Sequence, residues 1–261
     1  MKILITNDDG VNAPGLAALA EALAERFEVA VVAPEVEQSA VGHAITLADP
    51  IKVRALDRTH PLARLGRSWA VRGTPADCVK LAFWELLAGD RPGLVVSGIN
   101  RGANTGLNLL YSGTVSAATE AAFLGLTGVA FSLNSFDPRA DYGPAAGLAA
   151  DLTGLILDRK TEPGRVINVN FPLREGLTLA DCVIARQGLT MMKETFIERQ
   201  DPRGNRYYWQ AGEEVRVPNG RPGEVPTDQE ALAQGKVPIT PVRFDLTDHR
   251  ALSELKDRLL G

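Results

Sequence analysis

Apolar residues follow two rhythms along this chain. Runs rich in Ile, Leu, Val and Ala at 2–6, 28–33, 94–97, 129–133 and 165–170 are bounded by turn-forming residues, as strands are. Between most of them, at 16–26, 75–87, 115–124 and 144–159, Ala, Leu and Val recur at helical spacing. Pro75 suits a first helical turn, where its missing N–H costs nothing. This alternation predicts an α/β fold with a parallel sheet covered by helices on both faces.

Two regions break the rhythm. Between 36 and 71, short extended pieces at 51–56 and 68–71 replace a crossover helix, which predicts a local hairpin insertion. After Asn170-Phe171-Pro172 the chain becomes rich in Gly, Pro and charge over 199–234, with an alternating segment at 206–217 that reads as an extended arm or hairpin. Its aromatic run Tyr207-Tyr208-Trp209 would sit poorly in water alone, so packing on another subunit is expected. Residues 251–260 read as a terminal amphipathic helix. The expected division is a core over 1–172 and an arm plus helix over 173–261.

With 261 residues, 45% of them hydrophobic, the chain can bury one large α/β core with an appendage. A net charge of -4 gives no general attraction to a nucleic acid polymer or an anionic membrane, so any phosphate binding must be local. The apolar run at the N-terminus is too short for an export signal and ends in Asp8 and Asp9, and no stretch approaches the roughly 18 apolar residues of a membrane span. A soluble, cytoplasmic protein is expected. Cys78 and Cys182 fit neither a disulfide framework nor a CxxC site, and read as ordinary buried thiols.

In an open parallel sheet, ligands bind beyond the carboxyl ends of the strands, so candidate chemistry lies just after each strand. After the first comes Asn7-Asp8-Asp9-Gly10, whose adjacent carboxylates repel each other unless a cation or protons compensate; the alternative is one Asp capping the next helix while the other is solvated. After the second comes Gln38-Ser39-Ala40-Val41-Gly42-His43. The Ser39 hydroxyl suits a metal or phosphate, while His43 reads as a general acid or, more ordinarily, a structural hydrogen-bonding residue. The third is Ser97-Gly98-Ile99-Asn100-Arg101-Gly102-Ala103-Asn104-Thr105-Gly106, where Asn100 can add a neutral oxygen to the same cation, or the segment is simply a tight loop. Last, Tyr111-Ser112-Gly113-Thr114 gathers hydroxyls and free amides at a helix N-terminus, an arrangement that binds phosphate.

Oxygen donors without His or Cys clusters point to magnesium or manganese, with calcium as a further possibility, in place of zinc. GxGxxG, P-loop, HExxH and GxSxG patterns are all lacking, which removes support for dinucleotide binding, P-loop phosphoryl transfer, zinc proteolysis and serine hydrolysis.

Seven segments in order resemble the SurE family of nucleotidases: ILITNDDG from Ile3, APEVEQSAVGHAIT from Ala33, GTPADCVKLA from Gly73, LVVSGINRGANTG from Leu94, YSGTVSAATEAA from Tyr111, VINVNFP from Val166 and TDQEALAQGKVPITP from Thr227. The resemblance implies a Rossmann-like, mostly parallel sheet flanked by helices, with a C-terminal hairpin arm exchanged between subunits of a homodimer or homotetramer. It implies hydrolysis of nucleoside 5'- and 3'-monophosphates with a divalent cation. Carried over by motif, Asp8, Asp9, Ser39 and Asn100 would hold the metal, and Asn104, Ser112, Gly113 and Thr114 the phosphate. The nucleophile would be water deprotonated by Asp8 or Asp9, or else Asp8 itself. Ala40 and Ser116 stand where many members have Gly, and Pro238 where Ser is usual. Short polyphosphate hydrolysis and a non-catalytic nucleotide sensor are the alternatives. A nicotinamide oxidoreductase is disfavoured, because acids occupy the turn where pyrophosphate needs glycines.

Overall fold

A computed structural model describes residues 1–159, 161–189, 191–215 and 225–260. In chain order the elements are β1 (Lys2–Thr6), α1 (Pro14–Ala24), β2 (Glu28–Pro34), β3 (Lys52–Ala55), α2 (Leu62–Leu65), β4 (Arg67–Arg72), α3 (Pro75–Leu81), β5 (Leu94–Arg101) and α4 (Gly113–Phe123). They continue with β6 (Thr127–Asn134), α5 (Gly143–Asp158), β7 (Val166–Pro172), β8 (Cys182–Ile184), β9 (Met191–Gln200), β10 (Arg206–Val215), α6 (Asp228–Ala233), β11 (Val237–Val242) and α7 (Ala251–Leu260).

β1 shows why the sheet is covered twice. Its five residues are all buried. Ile3 and Ile5 pack with Leu16 and Leu19 of α1 and Leu148 of α5, while Leu4 packs with Cys78 and Val79 of α3 and Ala117 and Ala121 of α4. Side chains alternate across a strand, so a strand buried at every position needs helices on both faces.

Among the described residues the main sheet has nine strands in the order β3-β4-β2-β1-β5-β6-β7-β11-β8. The six from β4 to β7 run parallel, β3 and β11 join antiparallel, and β8 runs parallel to β11. β9 and β10 form a separate antiparallel pair with Arg206 opposite Gln200. The fold is thus α/β, a mostly parallel sheet flanked by helices, with a C-terminal hairpin and a terminal helix.

Four details differ from the sequence reading. Helix α3 ends at Leu81 and continues as a π-type turn, in which the Leu87 amide bonds the Ala82 carbonyl at 2.9 Å. β5 runs on to Arg101, its ladder with β6 slipping between Ser97 and Asn100, where the Gly98–Ile99 peptide is cis. Chain beyond residue 172 returns to the main sheet as β8 and β11, so that region is more than an arm. Cys182 is half-buried, though both thiols are free. Residues 216 and 217 of the alternating segment lie outside the described residues. Among the described residues, no helix is long and apolar enough to cross a membrane.

Candidate active site

The turn after β1 is built to present two carboxylates. Asn7 Nδ2 donates to the Gly10 carbonyl at 2.9 Å, and Gly10 itself takes φ 97°, a conformation open to glycine at little cost. A side chain there would also meet the Val36 backbone at 3.2 Å. The Gln38 amide donates to the Asp8 carbonyl at 2.7 Å, which ties the loop after β2 to this turn.

Asp8 is only 4% exposed, and the N-terminus of α4 presses against it. The Thr114 hydroxyl donates to Asp8 Oδ1 at 2.5 Å, and a Cβ on Gly113 would lie 2.8 Å from the Asp8 Cβ. Burial pushes the Asp8 carboxyl up to about 6, opposed by the Thr114 bond and reinforced by the charge of Asp9. Asp9 Oδ2 accepts the Arg101 amide at 3.0 Å. Burial raises Asp9 as well, against that amide and the Arg101 charge.

Asp8, Asp9, Ser39, Asn100, Asn104 and Ser112 line one cavity of about 790 Å³ at the carboxyl ends of β1, β2 and β5. Gly113 and Thr114 stand behind Asp8, and Thr114 is fully buried. Ser112 caps α4, its hydroxyl accepting the Val115 amide at 3.1 Å, and Ser116 donates back to the Ser112 carbonyl at 2.7 Å.

These groups suit a hard cation. Two adjacent carboxylates lie largely out of water, and no Lys or Arg side chain forms a salt bridge with either among the described residues. Nor do three or more His, Cys, Asp or Glu side chains gather in a metal-binding group there, so a cation must draw on neutral oxygens too. Ser39 donates its proton to Glu37 Oε1 at 2.6 Å, leaving oxygen lone pairs for a ligand. Asn100 spends Nδ2 on the Gly102 carbonyl at 2.7 Å, so its Oδ1 end is the one offered.

The loop carrying Asn104 is clamped from behind, by residues that local sequence patterns did not single out. The Asn104 amide donates to Asn170 Oδ1 at 2.8 Å, and its carbonyl accepts Asn168 Nδ2 at 2.7 Å and Asn170 Nδ2 at 3.1 Å. Its side chain donates to Ser132 Oγ at 2.9 Å. Farther along, the buried Asp228 carboxylate accepts the amides of Gly106 and Gly188, each at 2.9 Å. Two asparagines at alternate positions of a buried strand were the available signal, since buried amides need partners.

The Ser39 loop is held at its far side. His43 Nε2 lies 2.9 Å from Glu120 Oε2, its ring stacks on Phe123, and Lys80 donates to Glu120 Oε1 at 3.1 Å. Burial works against the Glu120 charge, yet these two partners hold its carboxyl below the usual range. His43 therefore anchors the loop to α4. Ala40 takes φ 58°, a left-handed conformation that penalises a Cβ by roughly 1–2 kcal/mol. Ala40→Gly is expected to raise stability by about 0.5–1 kcal/mol, net of glycine's entropy, in denaturant melts. A fall in stability would mean that the loop gains nothing from relief of this strain.

The fold and cavity place the chain among α/β proteins that bind ligands at the carboxyl edge of a parallel sheet, with an acidic first turn in place of a glycine-rich one. The family model described as Survival protein SurE matches residues 3–194, and the chain belongs to that family. It is 45% identical to the 5'-nucleotidase SurE of Thermosynechococcus vestitus, over 99% of this chain and 97% of that one. It is also 45% identical to the 5'-nucleotidase SurE of Desulfatibacillum aliphaticivorans, over 98% of each chain. The crystal structure of the SurE protein from Aquifex aeolicus superposes with a TM-score of 0.80 at 35% identity, covering 99% of both chains.

Proposed function

We propose that this chain is a divalent-metal-dependent, cytoplasmic phosphomonoesterase that hydrolyses nucleoside 5'- and 3'-monophosphates to nucleoside and phosphate. The observation that carries this reading is the buried Asp8 beside a half-buried Asp9, with no Lys or Arg salt bridge to either among the described residues, opening into a cavity roomy enough for a nucleotide. Relatives alike over nearly the full length are named as 5'-nucleotidases.

Asp8, Asp9, Ser39 and Asn100 would hold the cation, magnesium or manganese in preference to calcium. When bound, it supplies positive charge against the phosphoryl oxygens. Asn104 and Ser112 face the cavity as phosphate partners, and Gly113 lets the amide end of α4 approach closely, where helix N-termini favour anions. Thr114 acts one step back, fixing the Asp8 carboxylate through its 2.5 Å bond. Asp8 and Asp9 both line the cavity, and we take water deprotonated by one of them, in place of direct attack by Asp8, as the nucleophile.

We further propose a homodimer or homotetramer in which α7, at the end of the 173–261 region, is exchanged between subunits while β10 packs against the partner. Supporting this, Tyr207, Tyr208 and Trp209 on β10 and Leu252, Leu255 and Leu259 on α7 are large apolar groups left exposed in the single chain. The test is mass by light scattering, expected at two or four times the 28.0 kDa chain. A monomer would refute the exchange.

The catalytic reading is tested by phosphate release from nucleoside monophosphates using metal-stripped protein, with manganese or magnesium then added. Metal-restored release is expected. Release from short polyphosphate alone would make the chain a polyphosphatase, and nucleotide binding without release would make it a sensor.

A further inference from the structure

The cavity that holds Asp8 and Asp9 has a second, aromatic part for which the phosphate chemistry has no use. Phe136 lines it and is 78% exposed, and Tyr111, also lining it, is 65% exposed. Phe136 follows β6, which lies two strands from β1, about 10 Å at the usual strand spacing. Phosphorus and base in a nucleoside monophosphate are separated by a distance of this order. The Phe136 ring, though exposed, touches the loop below it. It rests against Gly102, where a Cβ would come within 2.6 Å of the ring. Gly102 belongs to the loop that carries Asn100 and Asn104, so the ring rests on the wall of the candidate phosphate site.

Opposite chemistry comes from the β9–β10 pair. Glu194 and Gln210 also line this cavity, and Gln210 Nε2 donates to Glu194 Oε1 at 3.1 Å. A carboxylate and an amide beside exposed rings offer hydrogen bonds in the neighbourhood of a stacked aromatic face. Neither group is needed by a bare phosphate, and an acid would repel one.

We propose that Phe136, with Tyr111, Glu194 and Gln210, forms a nucleobase subsite: the base stacks on Phe136 while Glu194 and Gln210 meet its polar edge. This rests on the nucleotidase reading and deepens it, by assigning substrate selection to the aromatic part of the cavity. Ring-on-ring stacking tolerates every base, so the subsite distinguishes nucleotides from phosphate esters that have no base. Glu194 can only accept hydrogen bonds while ionised, which favours bases carrying an exocyclic amino group.

The test compares kcat/KM for adenosine 5'-monophosphate with that for ribose 5-phosphate, which shares the phosphate and sugar. In Phe136→Ala the ratio of the two is expected to fall roughly tenfold, and in Phe136→Trp to stay near the wild-type ratio. Because the side chain is exposed, the variant is expected to fold as the wild type does. Equal losses on both substrates, or an unchanged ratio, would overturn the subsite. Adenosine binding by calorimetry separates this from failure of the nucleotidase reading. If the wild type releases phosphate from neither substrate, that reading fails. Even then, weaker adenosine binding by Phe136→Ala than by wild type supports the subsite, and equal or absent binding overturns it.

Discussion

Asp8→Asn is expected to reduce metal-restored phosphate release by at least about a thousandfold while raising the thermal stability of the metal-free protein. The two effects have one cause. The Asp8 carboxyl is buried, its folded-state pKa is raised from 3.8 to about 6, and its charge has Asp9 as a neighbour. A group raised in this way favours folding fully below pH 3.8, and that contribution is lost as pH rises through about 6. Above pH 6 the metal-free wild type therefore holds a charge the fold disfavours, whereas asparagine keeps the shape and still offers an oxygen to the Thr114 hydroxyl. The expected gain is roughly 1–3 kcal/mol at pH 8, falling toward zero near pH 4, read as the difference in melts of variant and wild type in chelator. A variant less stable than wild type at pH 8 would show that the carboxylate is compensated within the protein. Added manganese or magnesium should stabilise the wild type more than the variant.

Gly128→Ala is expected to destabilise the fold by roughly 3–4 kcal/mol. Gly128 lies on β6 directly under α4, and a Cβ there would come within 1.9 Å of the Ala118 carbonyl oxygen and 2.7 Å of its Cα. Both contacts are backbone, so relief requires the helix to lift. α4 also presents Gly113 and Thr114 to Asp8, so whatever folded variant survives should lose activity as well. Denaturant melts and phosphate release on the same preparation check both halves. A loss below about 1 kcal/mol would show that α4 rides over the strand more freely than these contacts allow.

The strands that were legible in advance are those buried on both faces, such as β1, where apolar residues run without a break. β11 was hidden by Pro238 and Pro241, which argue against a ladder position, although the strand is flanked by β7 on one side and β8 on the other. α6 escaped because six residues give too little periodicity. In the candidate site, Asp8, Asp9, Ser39, Asn100 and Ser112 could be picked out because each closely follows a strand or opens a helix, whereas Asn104 was marked only by the family resemblance. Ser132 and Asp228 could not be picked out, since each acts on backbone or side chains distant in sequence, and for Asn168 and Asn170 the signal was only that buried amides need partners. Phe136 belongs to no motif, and only the cavity links it to the carboxylates.

Asp228 sets an order of events during synthesis. The Gly106 amide waits for a carboxylate made 122 residues later, on the order of ten seconds at ordinary translation rates. Asp8 and Asp9 are made earlier still, yet the wall facing them is fastened only once Asp228 has emerged. A nascent fragment can thus expose its acidic turn to cellular cations well before it can close that wall, and competence is acquired late and as a unit.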